Sequence, residues 1–281
     1  MTIFPSNLTP LIDADILRYE LGFAAETGWK TTLEDPDALP PFDYVAELLH
    51  ARLEHIKTEC NTTVTPILYL TEGRTFRFDI AKSKPYKGTR VVNKPWHYNN
   101  LSVYLKDVLN AKVITGIEAD DALAIAHLNS NKTTILVSRD KDLRQIPGWF
   151  YSWELGKQPS FGPILIDQAG SLNLSEDHKK LTGTGLAFFY AQVLMGDKTD
   201  NIPGLPGCGP VDTYNILTDM TIRHEYAFSN SDLQLYAVEA AYAQILGENY
   251  KEYLLEQGQL CWITRKMNKE YPILWKIGMT E

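Results

Sequence analysis

The chain has 281 residues, room for one large domain or two ordinary ones, and its 44% hydrophobic content excludes global disorder. A net charge of −8 speaks at first against a nucleic-acid partner. No apolar run approaches the length of a membrane span, so no membrane association is expected.

In chain order, TPLID reads as a short buried strand ending at Asp13, and DPDALPP (35–41) as an acidic, Pro-rich loop. Phe42 to Cys60 carries a helical stripe of Val45, Leu48, Leu49, Leu53 and Ile56. TPILYL (65–70) is a buried strand, and 73–98 a mobile basic loop or arch. Then come a helix over 101–109, a strand over 112–115, a helix over 118–128 and a strand over 134–138. Segments 149–153 and 164–167 read as edge strands, and Trp149, Trp153 and the C-terminal tyrosines as core. Beyond Gly183 the pattern turns helical: 186–195, a Gly/Pro-rich loop at 203–210, then 212–217, 232–246 and 250–257. Strands alternating with helices predict an α/β fold with a parallel sheet, followed by a mainly helical part. The N-terminus lacks a basic segment followed by a long apolar one, so no signal peptide is expected. Cys60, Cys208 and Cys261, widely spaced, fit a reducing cytoplasm better than a disulfide framework.

Acids recur after the apolar runs: Asp13 and Asp15, Glu72, then Glu118, Asp120 and Asp121, then Asp140 and Asp142. Asp197 and Asp200 follow in MGDKTDN. In an open α/β sheet ligands bind at the carboxyl ends of the strands, so these acids would share one crevice. Like charges at contact repel by roughly 1 kcal/mol per pair in water and about 4 at intermediate dielectric. Divalent metal with oxygen ligands is the economical remedy. In GIEADD simple helix capping is the alternative, but three acids in four positions exceed what a cap needs. VSRDKD alone could be an ordinary turn, and Asp15 a cap of the following helix.

The charge is uneven. Residues 74–112 carry nine Lys and Arg against Asp79 and Asp107, so the rest of the chain holds a net −15. Arg74, Arg77, Lys82, Lys84 and Lys94 are candidate phosphate contacts there. Lys87 and Arg90, one helical turn apart, would reach one phosphate, and Tyr86 and Trp96 would stack on unpaired bases. A solvated basic loop with packed aromatics is the plainer alternative. GLPGCG places Gly204, Gly207 and Gly209 before a helix start at Pro210, where a backbone can approach a phosphate closely.

LIDAD, FR…YKGTR, GIEADD, VSRDKD and MGDKTDNIPGLPGCG, in this order, resemble the five-prime nuclease family. That family includes flap endonucleases, the five-prime nuclease domain of bacterial DNA polymerases and phage exonucleases. The likeness is greatest to the exonucleases of short-tailed T-odd phages. It spans about residues 9–220 and implies a PIN-like α/β nuclease domain over 1–182 with a basic arch over 73–98. A helical domain over 183–281 with a helix–three-turn–helix at 187–220 would follow. It implies two Mg²⁺ ions, with Mn²⁺ as a substitute. Asp13, Glu72, Glu118 and Asp120 would serve the first, and Asp140, Asp142, Asp197 and Asp200 the second. Asp121 belongs to the same motif. Lys87 and Arg90 would contact the scissile phosphate, Tyr86 a base, and the 204–210 turn duplex DNA and a monovalent cation such as K⁺. The implied activity is five-prime to three-prime exonucleolysis of duplex DNA, with flap and RNA–DNA hybrid cleavage as variants. The setting would be phage replication or DNA degradation beside replication proteins in the host cytoplasm. A catalytically dead junction binder and a PIN-type ribonuclease are the rivals. Glu72 departs from the usual Asp, and Pro210-Val211-Asp212 replaces the usual basic residues after the glycine turn. The segment between Arg90 and Ile117 is short for a threaded arch, which favours exonuclease over flap action.

Overall fold

A computed structural model describes residues 3–32, 38–91, 93–218 and 230–279. Residues 35–37 of the acidic loop expected at 35–41 lie outside them. In chain order the elements are β1 Thr9–Asp13, α1 Ala14–Thr32, α2 Phe42–Glu59, β2 Ile67–Thr75, α3 Arg77–Ile80, α4 Tyr98–Asp107, β3 Lys112–Gly116 and α5 Ala119–Leu128. There follow β4 Thr134–Val137, a 3-10 turn Lys141–Gln145, β5 Gly148–Ser152, β6 Phe161–Ile166, β7 Ser171–Leu174 and β8 Leu181–Thr184. The C-terminal third holds α6 Gly185–Met195, α7 Pro210–Thr218, α8 Asn230–Leu246, α9 Tyr250–Cys261 and a small pair, β9 Met267–Asn268 and β10 Tyr271–Pro272. Among the described residues no helix is long and apolar enough to cross a membrane.

The chain divides into two compact units that interleave along the sequence. The sheet unit takes 1–73, 91–141 and 148–165; the helical unit takes 74–90, 142–147 and 166–281.

The sheet unit has the α/β architecture the strand and helix alternation predicts. Its six-stranded sheet has the order β3-β2-β1-β4-β5-β6. Strands β2, β1, β4 and β5 pair in parallel, with Asp13 opposite Tyr69 and Ile12 opposite Val137. Alternation along β1 sends Ile12 into a core shared with α1, α2 and α4, and turns Asp13 to the other face, where α5 packs. One expectation is corrected here. The 149–153 run is not at the edge: β5 sits between β4 and β6, and Phe150 and Tyr151 are buried. An aromatic run reports a strand but not its place in the order.

The helical unit is built on α6, whose residues are buried on every side except at its last turn. Leu186, Phe189, Val193 and Leu194 pack with Leu217, Val238, Leu254 and Trp275 into one apolar cluster. Helices α6 and α7 flank the 196–209 turns, the arrangement expected of a helix–three-turn–helix. Gly204 (φ +66°) lies so close to the backbone of Gly196 and Leu194 that a Cβ there would collide with both. A hairpin of β7 and β8, which the sequence pattern does not announce, precedes α6. The expectation of buried C-terminal tyrosines holds for Tyr242, whereas Tyr236 and Tyr271 are exposed.

Candidate active site

In the sheet unit the acids gather where β1 and β4 end and α5 begins. Asp13 is buried and closes β1. Its Oδ1 accepts the Asp15 amide at 3.0 Å and its Oδ2 the Ser138 hydroxyl at 3.1 Å. Asp13, not Asp15, therefore caps α1. Asp15 instead reaches across to β2, where both its oxygens lie 3.1 Å from the Thr71 amide, and it pairs with Arg18. The Thr71 hydroxyl in turn accepts the Ala119 amide at the start of α5 (2.8 Å). Ser138 also accepts the Asp140 amide (2.9 Å), so one hydroxyl joins the two acids.

The electrostatics follow from burial. Desolvation pushes the Asp13 carboxyl up to about 8, and the neighbouring Asp15 and Asp140 charges add to it. Burial also raises Asp15, against the pull of Arg18, and Glu118 adds to that rise. At the start of α5, Asp121 is fully buried and accepts the Glu118 amide at 3.1 Å, the reciprocal half of a cap. Asp120 accepts the Asp121 amide (2.6 Å). Glu72 is exposed and lines a groove with Arg18, Ser102 and Lys106.

The helical unit holds a second group around Asp200. Its Oδ2 accepts the Tyr86 hydroxyl at 2.8 Å and its Oδ1 takes Arg90 at 3.0 Å. The Lys87 amide donates to the Asp200 carbonyl (2.9 Å). Burial raises the Asp200 carboxyl, Lys87 and Arg90 lower it, and the Asp142 charge raises it again. Asp197 is buried and accepts the amides of Thr199 and Asp200 at 2.6 and 3.2 Å. Lys87 and Arg90 both act on the Asp200 carboxylate, Arg90 by an ion pair and Lys87 through its charge, but not through a helical turn. Lys87 sits in left-handed backbone (φ 54°), and the Arg90 amide closes a turn onto its carbonyl at 3.1 Å.

Searched against protein-family models, the chain matches none. Among solved structures it is similar to the bacteriophage T5 D15 flap endonuclease in complex with DNA and metal ions. That match has 18% identity, 90% of this chain and 99% of the other covered, and a TM-score of 0.49. It is also similar to the catalytic core of Rad2 with DNA substrate, at 13% identity, 93% and 83% coverage and a TM-score of 0.46. Human GEN1 in complex with Holliday junction DNA matches at 11% identity, 97% and 65% coverage and a TM-score of 0.43. At such identities, and with TM-scores below 0.5, the likeness decides neither activity nor ligand.

Several residues expected on the nucleic-acid side are placed otherwise. Arg77 is only 1% exposed and donates to the carbonyls of Leu260 (3.3 Å) and Trp262 (2.7 Å), so it offers no charge to a phosphate. Tyr86 is 4% exposed, its ring edge-on to Phe78 and covered by Lys87. Such a ring has no face open to a base. Tyr86→Phe is expected to cost about 1 kcal/mol of stability through the lost Asp200 bond and to leave DNA affinity unchanged. A large loss of affinity in a binding titration would show that the ring swings out to meet DNA.

Arg74 pairs with Asp79 at the surface (2.8 Å), Lys82 with Glu252 (3.4 Å), and Lys84 is exposed. In the sheet unit Lys94 covers the Tyr98 ring, and Trp96 is 65% exposed, its amide donating to Glu26. In the glycine turn, the Gly204 amide donates to Gln257 (3.0 Å) and its carbonyl accepts Tyr253 (3.2 Å). Gly207 (φ +79°) has open space around it, and the Gly209 amide donates to Asp212 (3.2 Å). An acid of α7 itself thus stands at the helix start where a phosphate was expected. Sequence reasoning did not single out Ser138, Thr71 or Gln192. A hydroxyl at a strand end beside an acid was the available signal for the first two.

Proposed function

We propose that this chain is a divalent-metal-dependent nuclease that hydrolyses phosphodiester bonds of DNA, working from five-prime ends. The observation that carries this reading is Asp13. Its carboxylate is buried among Asp15 and Asp140, with hydroxyl and amide donors as its hydrogen-bond partners, and is raised to about 8. A divalent ion would relieve that charge, and the donors at hand are carboxylates and a hydroxyl, the chemistry of a hard cation such as Mg²⁺ or Mn²⁺. Among the described residues no three His, Cys, Asp or Glu side chains are already closed into a metal-holding group. The donor types fit the ion; the side chains would close on it as it binds.

In the sheet unit Asp13, Glu118, Asp120 and Asp140 would hold one ion. In the helical unit Asp142, Asp197 and Asp200 would hold another. Bound divalent metal supplies an activated nucleophile and Lewis-acid stabilisation of the departing oxygen. The chain's own residues do the rest. Asp15 ties β1 to β2 and keeps the Asp13 end of β1 in register. Lys87 and Arg90 share Asp200, and on binding a phosphate they exchange that carboxylate for the substrate's oxygens and offset the charge that builds up on phosphorus. The exposed Trp96 and the neighbouring Lys94 suit a splayed, unpaired end. The polarity and the choice of DNA rest on the ordered motifs from LIDAD to MGDKTDNIPGLPGCG. Flap and RNA–DNA hybrid cleavage are activities of the same kind of site.

The test is a duplex labelled separately at each end, incubated with Mg²⁺ or with EDTA. Small products from the five-prime label, lost in EDTA, are the expected result. Asp140→Ala is expected to keep DNA binding and to reduce cleavage to background. Equal loss of both would remove Asp140 from the metal-holding set. Binding without cleavage under every divalent ion would leave a junction-binding protein.

A further inference from the structure

Asp142 is reached by a chain of buried amides whose polarity can be worked out from its two ends. At one end is the backbone carbonyl of Cys261, the last residue of α9, which can only accept. The side-chain nitrogen of Gln145 donates to it at 2.9 Å. The same nitrogen donates to Gln192 Oε1 at 2.6 Å. That leaves the Gln192 nitrogen facing outward, 2.6 Å from Asp142 Oδ1, as a donor. Gln145 is fully buried and Gln192 2% exposed, so water does not compete for these bonds.

Reversing either amide sets oxygen against oxygen. A turned Gln145 would aim Oε1 at the Cys261 carbonyl, and a turned Gln192 would aim Oε1 at the Asp142 carboxylate. The orientation also leaves Gln145 Oε1 buried without a partner among the described residues, a cost the chain bears to keep both N–H bonds in place. Arg265 braces the relay by donating to the Gln145 backbone carbonyl at 3.2 Å. Apart from Gln192 and the Tyr190 hydroxyl, the side chains of α6 are apolar, so its packing alone does not call for a paired-amide relay at this depth.

We propose that Gln192 is a positioning residue that holds Asp142 in its ligand-ready orientation. Its donor face is imposed from the Cys261 carbonyl through Gln145. The proposal rests on the reading of Asp142 as a metal-holding group, and it names a support of that site which the acidic motifs do not contain. Outer partners of metal-holding carboxylates are worth about 10–100-fold in metal affinity.

The experiment is divalent-ion binding by calorimetry, with Mn²⁺ as the probe, on four full-length proteins: the parent, Gln192→Met, Gln145→Met and the double variant. Melting temperatures without metal are measured alongside. Gln192→Met keeps the bulk and loses the donor, and is expected to weaken Mn²⁺ binding by about tenfold. Gln145→Met does not touch Asp142 but frees Gln192 to turn, and is expected to weaken binding by less than Gln192→Met does. The double variant is expected to bind Mn²⁺ no more weakly than Gln192→Met, because Gln145 acts only through Gln192. Effects on Mn²⁺ binding that multiply in the double variant would overturn the relay. So would unchanged binding in Gln192→Met, or a parent that binds no divalent ion. The binding readout needs no turnover. If the parent binds Mn²⁺ and the single and double variants behave as expected, but no DNA is cut, the nuclease reading fails and the relay stands. If the parent cuts DNA and the variants bind as it does, the relay alone fails.

Discussion

Asp13→Asn is expected to make the metal-free protein more stable while it abolishes cleavage. The folded carboxyl lies at about 8 against an ordinary value of 3.8. Between those values the folded chain holds a proton that the unfolded chain has released. Its contribution to stability therefore falls as the pH rises through that window. At neutral pH the parent bears most of this cost. Asparagine does not titrate, so it removes this cost, and its oxygen still accepts the Asp15 amide while its nitrogen can donate to the Ser138 hydroxyl. The gain is expected to be about 2–3 kcal/mol, or roughly 5–10 °C in melting temperature. The parent should show a melting temperature in EDTA that drops between pH 6 and pH 8, and Mn²⁺ or Mg²⁺ should flatten that slope through preferential binding to the folded state. Thermal melts of both proteins across this range, with and without metal, check it. Equal melting temperatures in EDTA would mean that the Asp13 charge is already compensated, and the main argument for a cation there would fall.

The second large effect is expected at Arg77, and it is one of stability rather than DNA affinity. The guanidinium is buried, donates to two carbonyls at the end of α9, and lies against the Phe76 ring. Arg77→Met keeps much of the stem but strands both carbonyls in an apolar setting. The expected cost is about 3–5 kcal/mol, which lowers the melting temperature by roughly 6–15 °C. The neighbouring Arg74→Ala removes only an exposed pair with Asp79 and should change stability by less than about 1 kcal/mol. A melt comparison of the two variants separates them. A stable Arg77→Met protein with weak DNA binding would restore Arg77 to the nucleic-acid surface.

Much of the sheet unit is legible in the sequence. β1, α2, β4 and α5 fall within two residues of where apolar runs and helical stripes put them: the two strands are short apolar runs buried almost throughout, and α2 buries the stripe of Val45, Leu49, Leu53 and Ile56. α1 escaped notice. Its sequence, ADILRYELGFAAETGWKTT, scatters apolar residues around the helix, and packing against both α2 and α4 is what holds it. The β7–β8 hairpin is also hard to read: SLNL has no β-branched or aromatic residue and LTGT only its two threonines, and the hairpin lies against α6 and α7.

The acids themselves are a property of the linear chain. Charge at the end of an apolar run is a local pattern, and Asp13, Glu118, Asp140 and Asp200 could be read from it. Their partners could not. Which acid caps α1, which arginine is sunk under α9, whether Tyr86 faces solvent, and which amide faces Asp142 are settled by residues distant in sequence. Asp13 meets Ser138 across 125 positions, Arg77 meets Trp262 across 185, and Gln192 meets Asp142 across 50. Local composition sets what a side chain can donate or accept. Burial decides which of those bonds must be made, because a polar group left unpaired away from water costs about 1–3 kcal/mol. Only the packed chain brings together the partners that meet that demand.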